Sequence, residues 1–278
     1  MRSPVEHPVV LTRKGHALHA RIDRPGAGNA CSSAVMEALE GWLDQAADPQ
    51  VRVLVLTGTG RTFCGGADLE EGTSLLADPH ALHAFLDRGR ALVRRLREAP
   101  VPTIAAVNGA AFGGGLELVL ACDLAVAGRA ARLGDGHIGV GQVPGWGSSA
   151  MLPLAVGPAL ARRLLLTGEG WTATEAERRG LVSEVVDDAD LDARVSALAT
   201  TIAGHDPVAL QRMLGLARAA TAPASAAWDR EAATLRTHLD GQHADQRDAV
   251  LDALRSGGST RPSRDHEQYR PEDTRTTE

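Results

Sequence analysis

Aromatic residues and cysteine are both scarce in this chain of 278 residues. Aromatic side chains make up 3% of it, with a single tyrosine, and there are three cysteines. Because Cys31, Cys64 and Cys122 show neither Cys-x-x-Cys spacing nor a pattern of metal-ligand partners, we expect buried or half-buried thiols and no metal site. Long apolar runs are missing as well, since none approaches the roughly 18 residues of a membrane-spanning helix. We therefore expect no membrane partner.

The net charge and the length of the chain further restrict the class of protein. The formal net charge of −6 argues against a nucleic-acid-binding surface. The odd number of cysteines and the lack of an apolar leader favour a reducing, cytoplasmic location. A chain of this length can bury a large core as one domain, or as a domain with an appendage. The abundance of alanine, arginine and glycine is typical of a GC-rich bacterial genome.

The glycine-rich motifs of nucleotide-binding proteins are also absent. Gly113 and Gly115 match the first two positions of Gly-x-Gly-x-x-Gly, but the third position is Leu118. No Gly-Lys-Ser or Gly-Lys-Thr occurs anywhere in the chain, which excludes a phosphate-binding loop. The remaining alternatives for these glycines are close helix–strand packing or close approach of the backbone to a ligand.

What the chain does have is a strand-like run that leads into three consecutive glycines. Residues 103–107 are β-branched or small and apolar, Gly113, Gly114 and Gly115 follow, and residues 116–122 are typical of a helix. The N-terminus of a helix presents unpaired N–H groups and the positive end of the helix dipole, which favour negative charge. Glu117 follows directly, so an acid or base lies beside a predicted anion site.

A second glycine turn lies about fifty residues earlier in the chain. Residues 51–57 predict a strand buried on both faces, and Gly65, Gly66 and Ala67 come shortly after it, before another helical segment. Two such turns can each supply one backbone N–H to a single oxygen. That geometry would stabilise the anion formed at a thioester carbonyl.

Elsewhere the pattern predicts strands alternating with helices, and then helices alone. Residues 9–12 and 16–22 flank Lys14-Gly15 as a hairpin, and the chain through residue 140 is typical of repeated ββα units. We expect a helix over 79–98, mostly helix from Ser148, a helix from Pro207, and two more over about 223–239 and 243–255. The tail from about 257 has no apolar face to bury and is expected to be disordered.

Taken together, the ordered motifs resemble the crotonase (enoyl-CoA hydratase/isomerase) superfamily over roughly residues 9–255. No single motif is specific, but the ordered set is. The matching segments are Arg24-Pro25 with Asn29-Ala30, and residues 53–58, 63–69, 104–123, 143–145, 152–153, 166–168 and 176–186.

The resemblance implies an α/β crotonase (ClpP/crotonase-like) fold of repeated ββα units. It implies a core over residues 1–200, a C-terminal helical trimerisation segment over 201–256, and a homotrimer or a dimer of trimers. It also implies a CoA thioester as substrate and no separate cofactor. By resemblance the N–H groups of Ala67 and Gly114 form an oxyanion hole, and Glu117 matches the first catalytic glutamate. The residues assigned to substrate and CoA are Arg24, Gly66, Asp68, Leu69, Gly113 and Trp146.

The chain departs from the family pattern at three positions. The second hydratase glutamate should lie twenty residues after Glu117, and that position is His137. Gly145 stands where some dienoyl-CoA isomerases and dehalogenases carry aspartate, which argues against those reactions. Gly26 replaces a lysine that often meets the CoA phosphate, so CoA binding is less firmly implied than the fold.

A glutamate and a histidine together suit addition of water to a 2-enoyl thioester. That reaction needs a base for the water, a proton donor at Cα and stabilisation of the enolate oxygen. Neutral histidine, with an ordinary pKa near ~6.5, is a suitable base, and the pair avoids the repulsion between two carboxylates. The same pair would also serve an isomerase, a decarboxylase or a hydrolase of β-diketone C–C bonds.

Three further alternatives stay open. His137 could line the pocket wall while Glu117 works alone, and Trp146 could line the acyl pocket or simply pack under the next helix. Asp68 and Asp123 are interpreted as turn or cap acceptors for backbone N–H groups. Finally, a protein that binds acyl-CoA without turning it over is possible, although a pure binder has no need for Glu117 beside the oxyanion hole.

Overall fold

The computed structural model describes residues 7–241. The strands are β1 Val9–Lys14, β2 Ala17–Ile22, β3 Val53–Gly58, β4 Thr62–Cys64, β5 Thr103–Val107, β6 Ala110–Phe112, β7 Leu124–Gly128, β8 Arg132–Gly134, β9 Gly170–Thr172 and β10 Glu184–Val186. The helices are α1 Ser33–Asp44, α2 Leu69–Ser74, α3 Pro79–Arg97, α4 Gly114–Ala121, α5 Ser148–Val156, α6 Pro158–Thr167, α7 Ala173–Arg178, α8 Leu191–Ala203, α9 Pro207–Ala220 and α10 Ser225–Gly241. The helix predicted over 243–255 and the tail predicted from 257 lie outside the described residues.

Two sheets organise these elements. A six-stranded sheet has the order β1-β2-β3-β5-β7-β10, and a four-stranded sheet has the order β4-β6-β8-β9. β1 and β2 form the predicted antiparallel hairpin, and the other pairs of the large sheet are parallel. After this hairpin, the first strand of each successive pair joins the large sheet and the second joins the small one, as β3 and β4 do, then β5 and β6, and β7 and β8. The predicted ββα repetition is therefore confirmed.

The large sheet is covered on both faces, which explains its apolar strands. Val53 and Val55 of β3 face a cluster that includes Val195 and Ala199 of α8. Leu54 and Leu56, on the opposite face, belong to the main core with α1 and α3. A strand buried on both sides must be apolar at every position, as the sequence predicted.

Polar side chains cap the starts of several helices. Ser32 caps α1 through a bond from the N–H of Val35, and Thr172 and Glu175 form a reciprocal capping box at α7. Asp68 caps α2 by accepting from the N–H of Glu71, and Asp123 accepts from the N–H of Thr103. The interpretation of both aspartates as acceptors for backbone N–H groups is confirmed.

Helix α4 begins earlier than the sequence predicted, at Gly114 rather than Leu116. The glycines are thus part of the helix start and not of a loop before it. Gly113 precedes the helix with φ 53°, in the region that favours glycine. The first free N–H groups of the helix consequently belong to the glycines themselves.

None of the helices over residues 7–241 is long and apolar enough to cross a membrane.

Candidate active site

The two glycine turns meet at one point of the molecule. β4 leads into Gly65 and Gly66, β6 leads into Gly113, and a Cβ placed on Gly66 would stand 3.1 Å from the backbone nitrogen of Gly114. Gly66 also has φ +108°, which side chains rarely adopt. The turns can lie this close only because no side chain stands at Gly66. The structure therefore brings Ala67 and Gly114 together, as predicted.

The N–H groups of Ala67 and Gly114 are not used by the surrounding secondary structure. Ala67 forms an isolated β-bridge with Cys31, but its own N–H takes no part in it. The two hydrogen bonds of the bridge run from the N–H of Cys31 to the carbonyl of Gly66 and from the N–H of Asp68 to the carbonyl of Cys31. Gly114 is the first residue of α4, so its N–H has no acceptor within the helix. Both donors border a cavity, where they could bind one oxygen together.

A side chain is disfavoured at each of the three consecutive glycines, for a different physical reason. A Cβ on Gly115 would lie 1.9 Å from the carbonyl oxygen of Cys64, so α4 packs directly on β4 there. A Cβ on Gly114 would lie 2.3 Å from the Trp146 ring, and Gly113 has the positive φ described above. Close helix–strand packing, one of the two alternatives, is therefore confirmed at Gly115, and close approach of the backbone to a ligand stays a prediction.

Glu117 lies in the first turn of α4 and is 1% exposed. Its Oε1 accepts hydrogen bonds from the N–H of Trp146 at 2.9 Å and of Ser148 at 3.0 Å. Burial raises the pKa of Glu117 to about 8, helped by the charges of Glu231 and Asp135 and opposed by His137 and the bond from Ser148. A carboxyl group with this pKa can take up and release a proton near neutral pH.

His137 stands on a short 3₁₀ turn, His137–Val140, and faces the same cavity. Its Nδ1 lies 3.0 Å from Oδ1 of Asp135, whose side chain is 1% exposed. An ionised carboxylate only accepts, so Nδ1 carries a proton. Its Nε2 would be 3.6 Å from a Cβ on Gly113, at the start of α4. Asp135 thus orients the ring so that Nε2 lies beside the start of α4.

The protonation state of His137 differs from the neutral base expected from the sequence. Burial alone lowers the pKa of His137, but the charge and hydrogen bond of Asp135, with the charges of Glu117 and Glu231, raise it to about 9. Conversely, the imidazolium outweighs burial and holds the pKa of Asp135 below its usual range. At neutral pH His137 is a cation, and so a proton donor rather than a base.

A cavity of about 360 Å³ joins these groups. Its polar end holds Glu117, Asp135 and His137 and both glycine turns. Its walls are mainly apolar, with side chains from α3 and α10; these include Leu82, Phe85, Leu86, Leu235 and Leu239. An apolar pocket with a few convergent polar groups is the usual form of a small-molecule site.

Trp146 lines this cavity and also packs tightly against helices α3 and α4. It is 3% exposed, and it lies so close to Gly89 of α3 that a Cβ there would be 2.1 Å from the ring. Glycine at positions 89 and 114 therefore makes room for the indole beneath the oxyanion donors. Of the other residues assigned to the substrate, Gly66, Asp68, Leu69 and Gly113 also line the cavity.

Arg24 lies apart from the cavity lining that the described residues form. Its guanidinium donates to Oδ2 of Asp68 at 2.6 Å and to the carbonyl of Ala30 at 2.8 Å. Its contacts are thus with the turn that carries Ala67, and contact of Arg24 with CoA stays a prediction. Within residues 7–241, no group of three or more His, Cys, Asp or Glu side chains is placed to hold a metal ion.

Two residues of the site were not identified from the sequence. Asp135 stands two residues before His137, a spacing that could have indicated a carboxylate–imidazole pair. Glu231 is 5% exposed on α10 and accepts from the N–H groups of Gly147 at 2.6 Å and Ser149 at 2.7 Å. No local pattern distinguishes Glu231 from the other charged residues of that helix.

Comparisons with known proteins identify the family of this chain. A family model described as enoyl-CoA hydratase/isomerase matches residues 13–250. A 2,3-dehydroadipyl-CoA hydratase of Escherichia coli (strain K12) is 37% identical over 240 residues, which are 84% of this chain and 92% of that protein. A probable enoyl-CoA hydratase of Bacillus subtilis (strain 168) is 40% identical over 190 residues, or 68% of this chain and 73% of that protein.

Solved structures show the same architecture. The crystal structure of an enoyl-CoA hydratase/isomerase from Mycobacterium paratuberculosis superposes with a TM-score of 0.81 at 26% identity, covering 90% of this chain and 100% of that chain. One from Xanthobacter autotrophicus Py2 gives 0.80 at 28% identity, covering 90% and 94%. With the fold, the paired glycine turns and Glu117 in place, the chain belongs to the enoyl-CoA hydratase/isomerase family and has its crotonase fold.

Proposed function

We propose that this protein adds water to the double bond of a 2-enoyl-CoA thioester, and catalyses the reverse dehydration. The observation that carries the proposal is that a buried carboxylate, an imidazolium and two free backbone N–H groups border one apolar cavity. These are the base, the acid and the oxyanion donors that the reaction needs. The relatives named hydratases support the choice of hydration among the reactions of the family.

The oxyanion donors act on the thioester carbonyl. Its oxygen accepts from the N–H groups of Ala67 and Gly114, and the N-terminus of α4 adds a favourable dipole. As water attacks Cβ, negative charge moves to this oxygen and both hydrogen bonds strengthen. Loss of one such donor in a preorganised site costs about 3 to 4 kcal/mol of transition-state stabilisation.

Glu117 and His137 divide the proton transfers between them. Burial raises the pKa of Glu117, so this residue must first lose its proton to act as a base, whereas the charge and hydrogen bond of Asp135 outweigh burial and keep the proton on His137. Glu117 then takes a proton from the attacking water, and His137 delivers one from Nε2 to Cα of the enolate. The Asp135 carboxylate accepts a hydrogen bond from the Nδ1–H group and so stabilises the imidazolium.

The proposed reaction is redox-neutral and needs no cofactor besides the CoA that belongs to the substrate. Water supplies both the hydroxyl at Cβ and, through the acid and base, the hydrogen at Cα. The apolar walls from α3 and α10 suit the acyl chain, and the turn of Gly66, Asp68 and Leu69 lies at the thioester end. We infer that CoA enters along this turn.

We also infer a homotrimer or a dimer of trimers. Met213 and Leu216 lie three residues apart on α9 and are 66% and 70% exposed, and Leu166 on α6 is 75% exposed. Met213 and Leu216 lie on one face of α9, and an exposed apolar patch on one face is typical of a surface that a partner covers. Sedimentation velocity tests this inference, since a monomer at micromolar concentration would contradict it.

Turnover of a thioester panel in H₂¹⁸O tests the reaction itself. The panel contains crotonyl-CoA, longer 2-enoyl-CoAs, a 3-enoyl-CoA and a β-diketone, with wild type, Glu117→Gln and His137→Ala. We expect one ¹⁸O at Cβ, with the rate lost in both variants. Double-bond migration without label would indicate an isomerase, loss of CO₂ a decarboxylase, and label in a cleaved carboxylate a C–C hydrolase. Thioester binding without any turnover would indicate a binder.

A further inference from the structure

Two buried carboxylates share one short stretch of backbone beside the cavity. The N–H groups of Trp146 and Ser148 donate to Glu117, whereas those of Gly147 and Ser149 donate to Glu231. The Ser149 hydroxyl also donates to Glu231. Four consecutive N–H groups thus alternate between the catalytic carboxylate and a second one, which comes from helix α10.

This stretch is the start of α5, which has no side-chain cap of its own. The first N–H groups of a helix need acceptors, and here the two glutamates supply them. A carboxylate at this end of a helix is also favoured by the helix dipole. The position of the Glu117 carboxylate therefore depends on how the start of α5 is held.

Two contacts from helix α10 fix the N-terminus of α5. Gly147 has φ +123°, and a Cβ there would lie 2.3 Å from the Trp228 ring, so the indole packs directly on the glycine backbone. One turn later Glu231 accepts its two backbone bonds. Trp228 and Glu231 are each 5% exposed, so both contacts are buried.

We propose that Glu231 is a positioning residue, which fixes the Trp146–Ser149 backbone so that it presents two N–H groups to Glu117. Glu231 itself lies outside the cavity lining formed by residues 7–241, so it acts through the backbone and through its charge. The inference rests on the proposed function of Glu117 as the base. It assigns to α10 a part in catalysis besides closing the acyl end of the cavity.

The charge of Glu231 offers a readout that a purely structural role would not move. The charged groups that face Glu117 are His137, Glu231 and Asp135, and those that face His137 are Asp135, Glu117 and Glu231. Glu231 raises the pKa of both catalytic groups. Removing its charge should therefore move both limbs of the pH–rate profile to lower pH.

Glu231→Gln is the direct test. We expect kcat for crotonyl-CoA to fall by about tenfold to 10²-fold, because small displacements of catalytic groups cost this much. KM should change by less than about threefold, because Glu231 does not touch the substrate. Both limbs of the pH–rate profile should move to lower pH. The matched control is Asp229→Asn on the same helix, whose side chain is 71% exposed and lies 3.7 Å from Arg94. It should leave kcat and both limbs unchanged.

Further measurements keep the inference falsifiable. If Glu231→Gln does not fold, Ser149→Ala removes only the hydroxyl donor to Glu231, and should shift kcat and the limbs in the same direction by less. If the wild-type protein hydrates no 2-enoyl-CoA, the proposed function fails, but the inference about Glu231 can still be tested. The pKa of Glu117 is then measured by infrared titration of its carboxyl group, as a difference against Glu117→Gln. A Glu117 pKa and a kcat that do not change in Glu231→Gln would overturn it, even if the melting temperature fell.

Discussion

Nδ1 of His137 lies 3.0 Å from Oδ1 of the buried Asp135. In the proposed mechanism, this pair allows histidine to stand where hydratases carry a second glutamate. A glutamate there would supply a carboxyl proton, and Asp135 makes the imidazole a cation that can supply one instead.

Asp135→Asn should therefore weaken the acid. Without the carboxylate the pKa of His137 falls, so the proton donor is lost at lower pH and the basic limb of the rate profile moves down. We expect kcat at pH 8 to fall by about 10²-fold, within the range that a positioned acid or base contributes. The control is Asp44→Asn, an aspartate 70% exposed that pairs with Arg95. A basic limb that stays in place would contradict the assigned role of Asp135.

Glu117→Gln should remove hydration and leave thioester binding intact. The loss expected for a positioned base is on the order of 10² to 10⁴ in kcat. Calorimetric titration with a saturated acyl-CoA measures binding separately, and Glu37→Gln, an exposed glutamate of α1, serves as control. Loss of binding together with turnover would show that Glu117 holds the pocket rather than performing the chemistry.

The same substitution makes a prediction about stability. The pKa of Glu117 is raised to about 8 in the folded protein, so the folded state binds its proton more tightly than the unfolded state does. The resulting stabilisation is present below the unfolded pKa of about 4.5 and is lost as pH rises through about 8. Between these two pH values, the free energy of unfolding of the wild type should fall relative to that of Glu117→Gln by several kcal/mol, on the order of 1.4 kcal/mol per pH unit. Denaturant titrations at pH 5 and pH 8.5 measure it, and a constant difference would refute it.

Much of this site could be predicted from the sequence because it is built from local signals. A strand, a glycine turn and a helix start follow one another within a dozen residues around Gly114, and the same order recurs around Gly66. The position of the free backbone N–H groups therefore follows from this local order of elements alone. The position of Glu117 in the first turn of α4 follows from the same local pattern.

The rest depends on contacts between distant segments, which local patterns do not encode. Glu231 lies 84 residues from Gly147 in sequence, and only the packing of α10 on α5 brings its carboxylate to that backbone. The protonation of His137 likewise depends on the buried charges of Asp135, Glu117 and Glu231 together. The ordinary pKa of an isolated histidine therefore gave the wrong expectation of a neutral base.

Gly66→Ala should disable the oxyanion hole with little change elsewhere. The new methyl group would stand 3.1 Å from the nitrogen of Gly114, and φ +108° would strain the turn. We expect kcat to fall by about 10² to 10³, the loss that accompanies removal of one oxyanion donor. Gly41→Ala on α1 is the control, since a Cβ there meets nothing within 4 Å. Full activity of Gly66→Ala would exclude the assigned donors.

Leu235→Ala should alter the acyl-chain preference. Leu235 on α10 lines the cavity and lies against Gly145, where a Cβ would be 2.2 Å from its Cδ2. Shortening it enlarges the apolar end, so kcat/KM for longer 2-enoyl-CoAs should rise relative to crotonyl-CoA by about threefold to fourfold per accommodated methylene. Leu154→Ala, at a position 49% exposed, should leave the ratio unchanged. An unaltered ratio in Leu235→Ala would place the acyl chain elsewhere.

The pH dependence of kcat/KM for hydration of crotonyl-CoA tests the division of labour between Glu117 and His137 most directly, because it reports the ionisation of the free enzyme. With Glu117 as base and protonated His137 as acid, activity should rise with pH through about 8 and fall again through about 9. A profile that rises near ~6.5 and then stays level, as a neutral histidine base would give, would contradict the account.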